Sequence, residues 1–175
     1  MAFALLNRIF GRTDVREAWR PLYAAVVAEA RQPHWYRDAA VEDSIDGRFE
    51  MICLVTALVL IRMEALGLPA AEPMALLTEV LVEDMEGQVR EIGFGDLVVG
   101  KHVGQMMGAL GGRIGAYRAG LAEGGDLSGA LVRNLYRGEA PDTAALTEGE
   151  AATRALHAAL VARTLDEFRE GRLAT

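Results

Sequence analysis

Apolar residues recur at helical spacing along almost the whole chain, and alternating polar–apolar runs of strand type are nearly absent. A chain patterned in this way must bury helix stripes against one another. That predicts an all-α, single-domain bundle of about six to seven helices. At 175 residues it has the length of one domain, and a core of that size needs neither disulfides nor a structural metal. Leu22, Val26 and Ala30 share one face of a predicted helix over about 20–31, which Pro33 closes. A connecting segment follows, holding Trp35, Tyr36 and the carboxylates Asp38, Glu42, Asp43 and Asp46. Gly47 to Leu66 is the most apolar stretch, apolar on most sides, and belongs at the centre of the fold. Gly67-Leu68-Pro69 stops it, and Pro73 opens a helix running to about Arg90. A turn at Gly93–Asp96 leads into a long helix over about 97–120, predicted to pack in the core. Leu127, Leu131 and Leu135 mark a short helix, and Gly138–Pro141 a linker. Thr147-x-x-Glu150 reads as the capping box of a last helix reaching Phe168. Three parts result: an amphipathic arm over 1–14, a helical domain over 15–138, and a linker and C-terminal helix over 139–175 packing on the same domain.

Thirteen of the 19 glycines lie between positions 87 and 129. Within the long helix Gly100, Gly104, Gly108 and Gly112 recur every four residues, continued by Ala116 and Gly120. Each interior glycine costs roughly 1 kcal/mol of helix propensity relative to alanine. Close backbone approach by another helix would offset that cost. The neighbour is either internal, by tight packing, or an incoming partner helix in a groove, and both readings put something on the stripe. Gly95-x4-Gly100-Lys101-His102 only imitates a phosphate loop, because no strand precedes it and His102 stands where Mg²⁺ requires a hydroxyl.

Charge and composition exclude several classes. The net charge of −7 opposes wholesale nucleic-acid binding. A single cysteine, Cys53, sits in the most apolar helix and reads as an inert core thiol. No stretch reaches the ~18–20 apolar residues that span a bilayer, and the N-terminus lacks a secretory pattern, so the expected location is cytoplasmic. His34, His102 and His157 lie apart without metal-ligand spacing, and Glu79 and Glu83 read as a solvated face. Met63, Met74, Met85, Met106 and Met107 fill a core or line an adaptable groove. Residues 71–100 hold seven acids against Arg90, while 101–137 are mainly basic, so the blocks either pair or divide a surface. Arg8, Arg12, Arg16 and Arg20 recur beside Phe3, Leu6, Ile9 and Phe10, which suits an anionic membrane surface, the arm's own core or a second copy.

Longer motifs carry a family resemblance. Glu83-Asp84-Met85, then Arg90-Glu91-Ile92-Gly93-Phe94-Gly95-Asp96-x-x-Val99-Gly100-Lys101-x-Val103-x-x-Met106, resembles the signature of the ubiquinol–cytochrome c chaperone family. Tyr36, Asp46-Gly47-Arg48-Phe49-Glu50, Arg113-x-x-Ala116-Tyr117 and Arg133-Asn134-Leu135-Tyr136 resemble its other pieces, in order over about 20–138. The chain departs from the family where Leu110-Gly111-Gly112-Arg113 lacks the aromatic common before the Gly-Arg pair, and where His102 stands in place of a second lysine. The resemblance implies a non-enzymatic assembly factor that binds cytochrome b, or another respiratory-complex subunit, during biogenesis of the quinol-oxidising complex. It also implies a small partner protein or a ribosome surface, and peripheral contact at the cytoplasmic face of the inner membrane, with no specific nucleic acid. Stripe and resemblance together nominate Gly93, Gly95, Asp96, Gly100, Lys101, Gly104, Met106, Gly108, Arg113 and Tyr117 as partner contacts. For Asp96 and Lys101, helix capping and an internal salt bridge are the alternative roles. No resident cofactor, metal ligand or catalytic residue is expected; transient haem contact through His34 or His102 stays open. The competing readings are a generic helical adaptor for another membrane or respiratory protein, and an enzyme, for which no convergent polar pocket is visible.

Overall fold

The computed structural model describes residues 15–91 and 96–173, without the side chains of 96–98 and 102. The amphipathic arm, Gly93 and Gly95 lie outside the described residues. A 3-10 turn over Val15–Trp19 enters α1 (Arg20–Ala30), followed by α2 (Pro33–Arg37) and α3 (Ile45–Ala65). A second 3-10 turn, Leu68–Ala70, leads to α4 (Ala71–Glu91). Then come α5 (Asp96–Leu121), α6 (Leu127–Asn134), α7 (Thr143–Val161) and α8 (Leu165–Arg169). The described residues form an all-α bundle, as the spacing predicts. None of their helices is long and apolar enough to cross a membrane.

The apolar run at the middle of the sequence becomes the axis of the bundle. Every residue from Met51 to Leu60 is buried, because α1, α4, α5 and α7 all pack on α3. Ser44 caps its N-terminus, accepting the Gly47 amide at 3.2 Å. Gly47 has a steric reason: a Cβ there would stand 2.0 Å from the Glu42 carbonyl oxygen, where the approaching loop crosses the first turn. At the far end Arg62 donates to the Arg163 carbonyl at 2.8 and 3.2 Å, tying α3 to the α7–α8 turn.

The glycine stripe of α5 behaves differently from the expectation. The helix packs through Val99, Val103, Met106, Leu110, Arg113, Tyr117 and Gly120, buried or half-buried positions separated alternately by four and three residues. Gly100, Gly104, Gly108, Gly111, Gly112 and Gly115 are exposed, and a Cβ on any of them meets no atom within 4 Å among the described residues. The helix is therefore packed, but not by its glycines. Its neighbouring apolar stripe supplies the burial that offsets poor propensity. Gly120 is the exception: a Cβ there would lie 2.8 Å from Leu127 Cα, so α5 and the start of α6 meet at glycine.

One further reading is corrected. Thr147 sits inside α7, where its hydroxyl donates to the Thr143 carbonyl. Asp142 is the cap, accepting the Ala145 amide at 2.9 Å. A capping box does occur, at Thr164 and Glu167, and opens the separate helix α8. The Thr164 amide and hydroxyl, with Arg163, hold the Glu167 carboxyl down at about 2. Among the described residues, arginines of the basic block pair with α3 and its approach: Arg113 with Glu50, Arg118 with Glu64, and Arg137 with Asp46 and Glu42. Arg20, the last arginine of the N-terminal repeat, is held in the fold by Glu17 at 2.6 Å and Glu83 at 2.9 Å.

These environments predict opposite signs for one chemical change. Gly104→Ala and Gly108→Ala should each raise stability by about 0.5–1 kcal/mol, since propensity improves with no clash. Gly47→Ala should lower it by about 1–3 kcal/mol through forced backbone movement. Urea unfolding midpoints at constant m-value check both.

Candidate functional site

One open cleft of about 560 Å³ lies where α3, α4 and α5 meet. Its floor is apolar: Ile52, Met85 and Val89 are buried there, and Phe49 and Met106 half-buried. At the rim stand Arg31 from the end of α1, Asp46 and Arg48 from the first turn of α3, Gln88 from α4, and Arg137 beyond α6. Ile45, 76% exposed, adds an apolar edge at the mouth. The shape arises because the first two turns of α3 carry Ile45, Phe49 and Ile52 on one side, spaced four and three, while α4 and α5 contribute methionines.

Glu50 also lines the cleft and forms the principal buried ion pair. Arg113 Nε donates to Glu50 Oε2 at 2.7 Å, and Arg113 Nη2 to Oε1 at 2.5 Å, with side chains 15% and 8% exposed. Both ends of the guanidinium fork are used, the strong arrangement for this pair. It joins two motif pieces 63 residues apart and sets α5 against α3. Beneath it Cys53 is buried, and burial, reinforced by Glu50, pushes its thiol up to about 12. That suits an inert core residue. Tyr117 is fully buried, burial pushes the pKa of its phenol up, and its hydroxyl has no hydrogen-bond partner among the described residues. The remaining motif tyrosines are anchored: Tyr36 donates to the Ala30 carbonyl at 2.7 Å and Tyr136 to Ala39 at 2.8 Å. Tyr136 reaches that position over Gly149, where a Cβ would lie 2.5 Å from its hydroxyl.

The nominated contacts thus separate. Met106 faces the cleft and Arg113 buttresses its base through Glu50, while Tyr117 is core. Gly100, Lys101, Gly104 and Gly108 are exposed, and Gly104 lies roughly 160° around the helix from Met106. Cleft and glycine face are therefore opposite sides of α5, not one groove. Asp96 begins α5, with its side chain outside the described residues. Met85 was among the methionines read as core or groove lining, and it lies on the cleft floor; the residues missed from the sequence are Arg31, Phe49, Ile52, Val89 and Arg137. Phe49 stood in a motif piece and could have been found; Arg31 carried no signal.

His34 rests against Trp35, ring centroids 4.7 Å apart, away from the cleft. Among the described residues no group of three or more His, Cys, Asp or Glu could hold a metal ion. The described residues thus form an all-helical scaffold with an open, apolar-floored cleft. The chain belongs to the ubiquinol-cytochrome C chaperone family, which matches residues 37–175, and is thus a chaperone in assembly of the ubiquinol–cytochrome c reductase complex. It is similar to the crystal structure of the Cbp3 homolog from Brucella abortus, with a TM-score of 0.76 and 26% identity, covering 99% of this chain and 96% of that chain. No protein of curated function matches it.

Removing one partner of the ion pair, by Glu50→Leu or Arg113→Met, should cost about 3–5 kcal/mol, whereas the double substitution should recover most of that loss. Tyr117→Phe should be neutral or stabilise by up to about 1–2 kcal/mol, since it removes a buried hydroxyl that pairs with nothing described. Denaturant unfolding of the four variants tests both statements.

Proposed function

We propose that this chaperone holds an apolar segment of cytochrome b, or of its precursor, in the α3–α4–α5 cleft while the ubiquinol–cytochrome c reductase complex is assembled. It acts by contact, without catalysis. The observation that supports this reading is the cleft floor: Phe49, Ile52, Met85, Val89 and Met106 form an apolar bed open at the surface. Methionine and aromatic side chains suit such a bed, because they repack around helices of varied sequence. A membrane-protein segment before insertion is a helix with apolar side chains and no lipid around it, and an apolar groove shields one face of it from water.

The outer face of α5, around Gly100, Lys101, Gly104 and Gly108, is a second contact surface in this reading. Its lack of side chains lets a helix of the client or of a small partner protein approach at short range. The family resemblance supports placing this work beside the inner face of the respiratory membrane. A generic helical adaptor is the competing reading, and the identity of the bound protein separates the two.

The test uses cells lacking their own copy and complemented with tagged protein. Cytochrome b is expected among the proteins recovered with the wild type. Met106→Glu puts a carboxylate in the cleft and should cut recovery about 10–100-fold, equivalent to about 1–3 kcal/mol. Gly104→Leu should reduce recovery of a client or partner protein while the chaperone stays folded, since nothing described lies against that position. Circular dichroism melts of both variants control for folding. Recovery of an unrelated membrane protein instead of cytochrome b favours the adaptor, and undiminished recovery with Met106→Glu removes the cleft from the function.

A further inference from the structure

The rim of the cleft is rich in arginine, and its arginines are not equivalent. Arg48 Nε is paired with Asp43 at 2.6 Å. Arg137 reaches Asp46 at 3.0 Å and Glu42 at 3.7 Å. Arg31 is exposed at the C-terminal end of α1, and among the described residues it has no ion-pair partner. The carboxylates on the adjoining stretch of α4 are engaged elsewhere: Glu83 by Arg20, and Asp84 by Tyr23 and Gln88. Glu91 lines the same side without pairing with Arg31. Arg31 also lines the two shallower depressions flanking the cleft, so its guanidinium is open to approach from several directions.

We propose that Arg31 sets the cleft's preference among clients: it takes an apolar polypeptide segment that carries a carboxylate at one end. The apolar side chains lie on Phe49, Ile52 and Met106, and the carboxylate pairs with Arg31 where the apolar floor stops. This inference rests on the cleft reading above. Charge complementarity carries it. Each of the other two cleft arginines already holds an acidic partner within this chain, so a further carboxylate gains most at Arg31. A guanidinium offers a carboxylate two parallel donors, which gives direction as well as attraction. The chain's overall charge of −7 supplies no general pull on acidic segments. Preference for a carboxylate must therefore arise from a local contact. An apolar segment flanked by lysine would meet an unpaired like charge at the same point and be disfavoured.

The experiment uses the full-length protein and two fluorescein-labelled synthetic peptides with one leucine–alanine helical core. One peptide ends in Glu-Glu and the other in Gln-Gln. By fluorescence anisotropy, the Glu-ended peptide should bind the wild type about tenfold more tightly. The preference should collapse in Arg31→Gln and be retained in part in Arg31→Lys, with unchanged circular dichroism in both. Met106→Glu should weaken both peptides. Equal affinities for the wild type, or a preference that survives Arg31→Gln, overturns the role of Arg31. If both peptides bind equally and Met106→Glu weakens both, the cleft reading stands without it. If neither peptide binds, or Met106→Glu changes nothing, the cleft reading falls and the inference with it. A concentration-dependent dimer that Met106→Glu disrupts assigns the cleft to a second copy and likewise overturns the inference.

Discussion

The Glu50–Arg113 ion pair is the contact on which the geometry around the cleft depends. The α3 helix is apolar on nearly every side, and apolar packing alone leaves its rotation and register against α5 loosely specified. A carboxylate and a guanidinium buried together cannot tolerate such freedom, because each loses its water and regains it only by facing the other. The pair therefore contributes registry more than net stability. With Glu50 turned towards Arg113, Phe49 and Ile52 are carried into the cleft, and Met106, one heptad before Arg113, faces them from α5.

That registry separates the two sides of α5. Its inner side follows the alternating three–four spacing and closes the bundle, and its outer side presents backbone almost bare of side chains. Helices usually place small residues where another helix comes close. Of the α5 glycines from Gly100 to Gly120, only Gly120, at the turn into α6, lies at such an approach within the described fold. The poor helix propensity of the outer side is offset by Val99, Val103, Leu110 and Tyr117 on the inner one, each buried.

The fold was largely legible in the sequence. Apolar periodicity marks the helices, and the all-round apolarity of residues 47–66 marks the central one, because burial on every side leaves that pattern. Two local misreadings have physical causes. Thr147-x-x-Glu150 matches a capping box, but Asp142 lies at the true helix start and wins as a cap, which leaves Thr147 in the helix interior. Of the two readings of the glycine spacing, internal packing fails at Gly100, Gly104, Gly108 and Gly112, because a glycine stripe records only an absence of side chains and not what lies opposite. The site was legible in part. The motif pieces held Phe49, Glu50, Met85, Met106 and Arg113, yet which of them meet depends on contacts across 63 residues. Arg31 and Val89 join the cleft through tertiary placement alone, and no local pattern marks them.

The central claim is that this chaperone works through the α3–α4–α5 cleft on an apolar client. Photo-crosslinking in respiring cells tests it most directly, with p-benzoylphenylalanine replacing Phe49, whose ring already lines the cleft. The account predicts an adduct containing cytochrome b or its precursor, absent when the label is placed on the distant exposed position Val161. Adducts of equal yield from both positions, or none from position 49 in a folded and complementing protein, would contradict it.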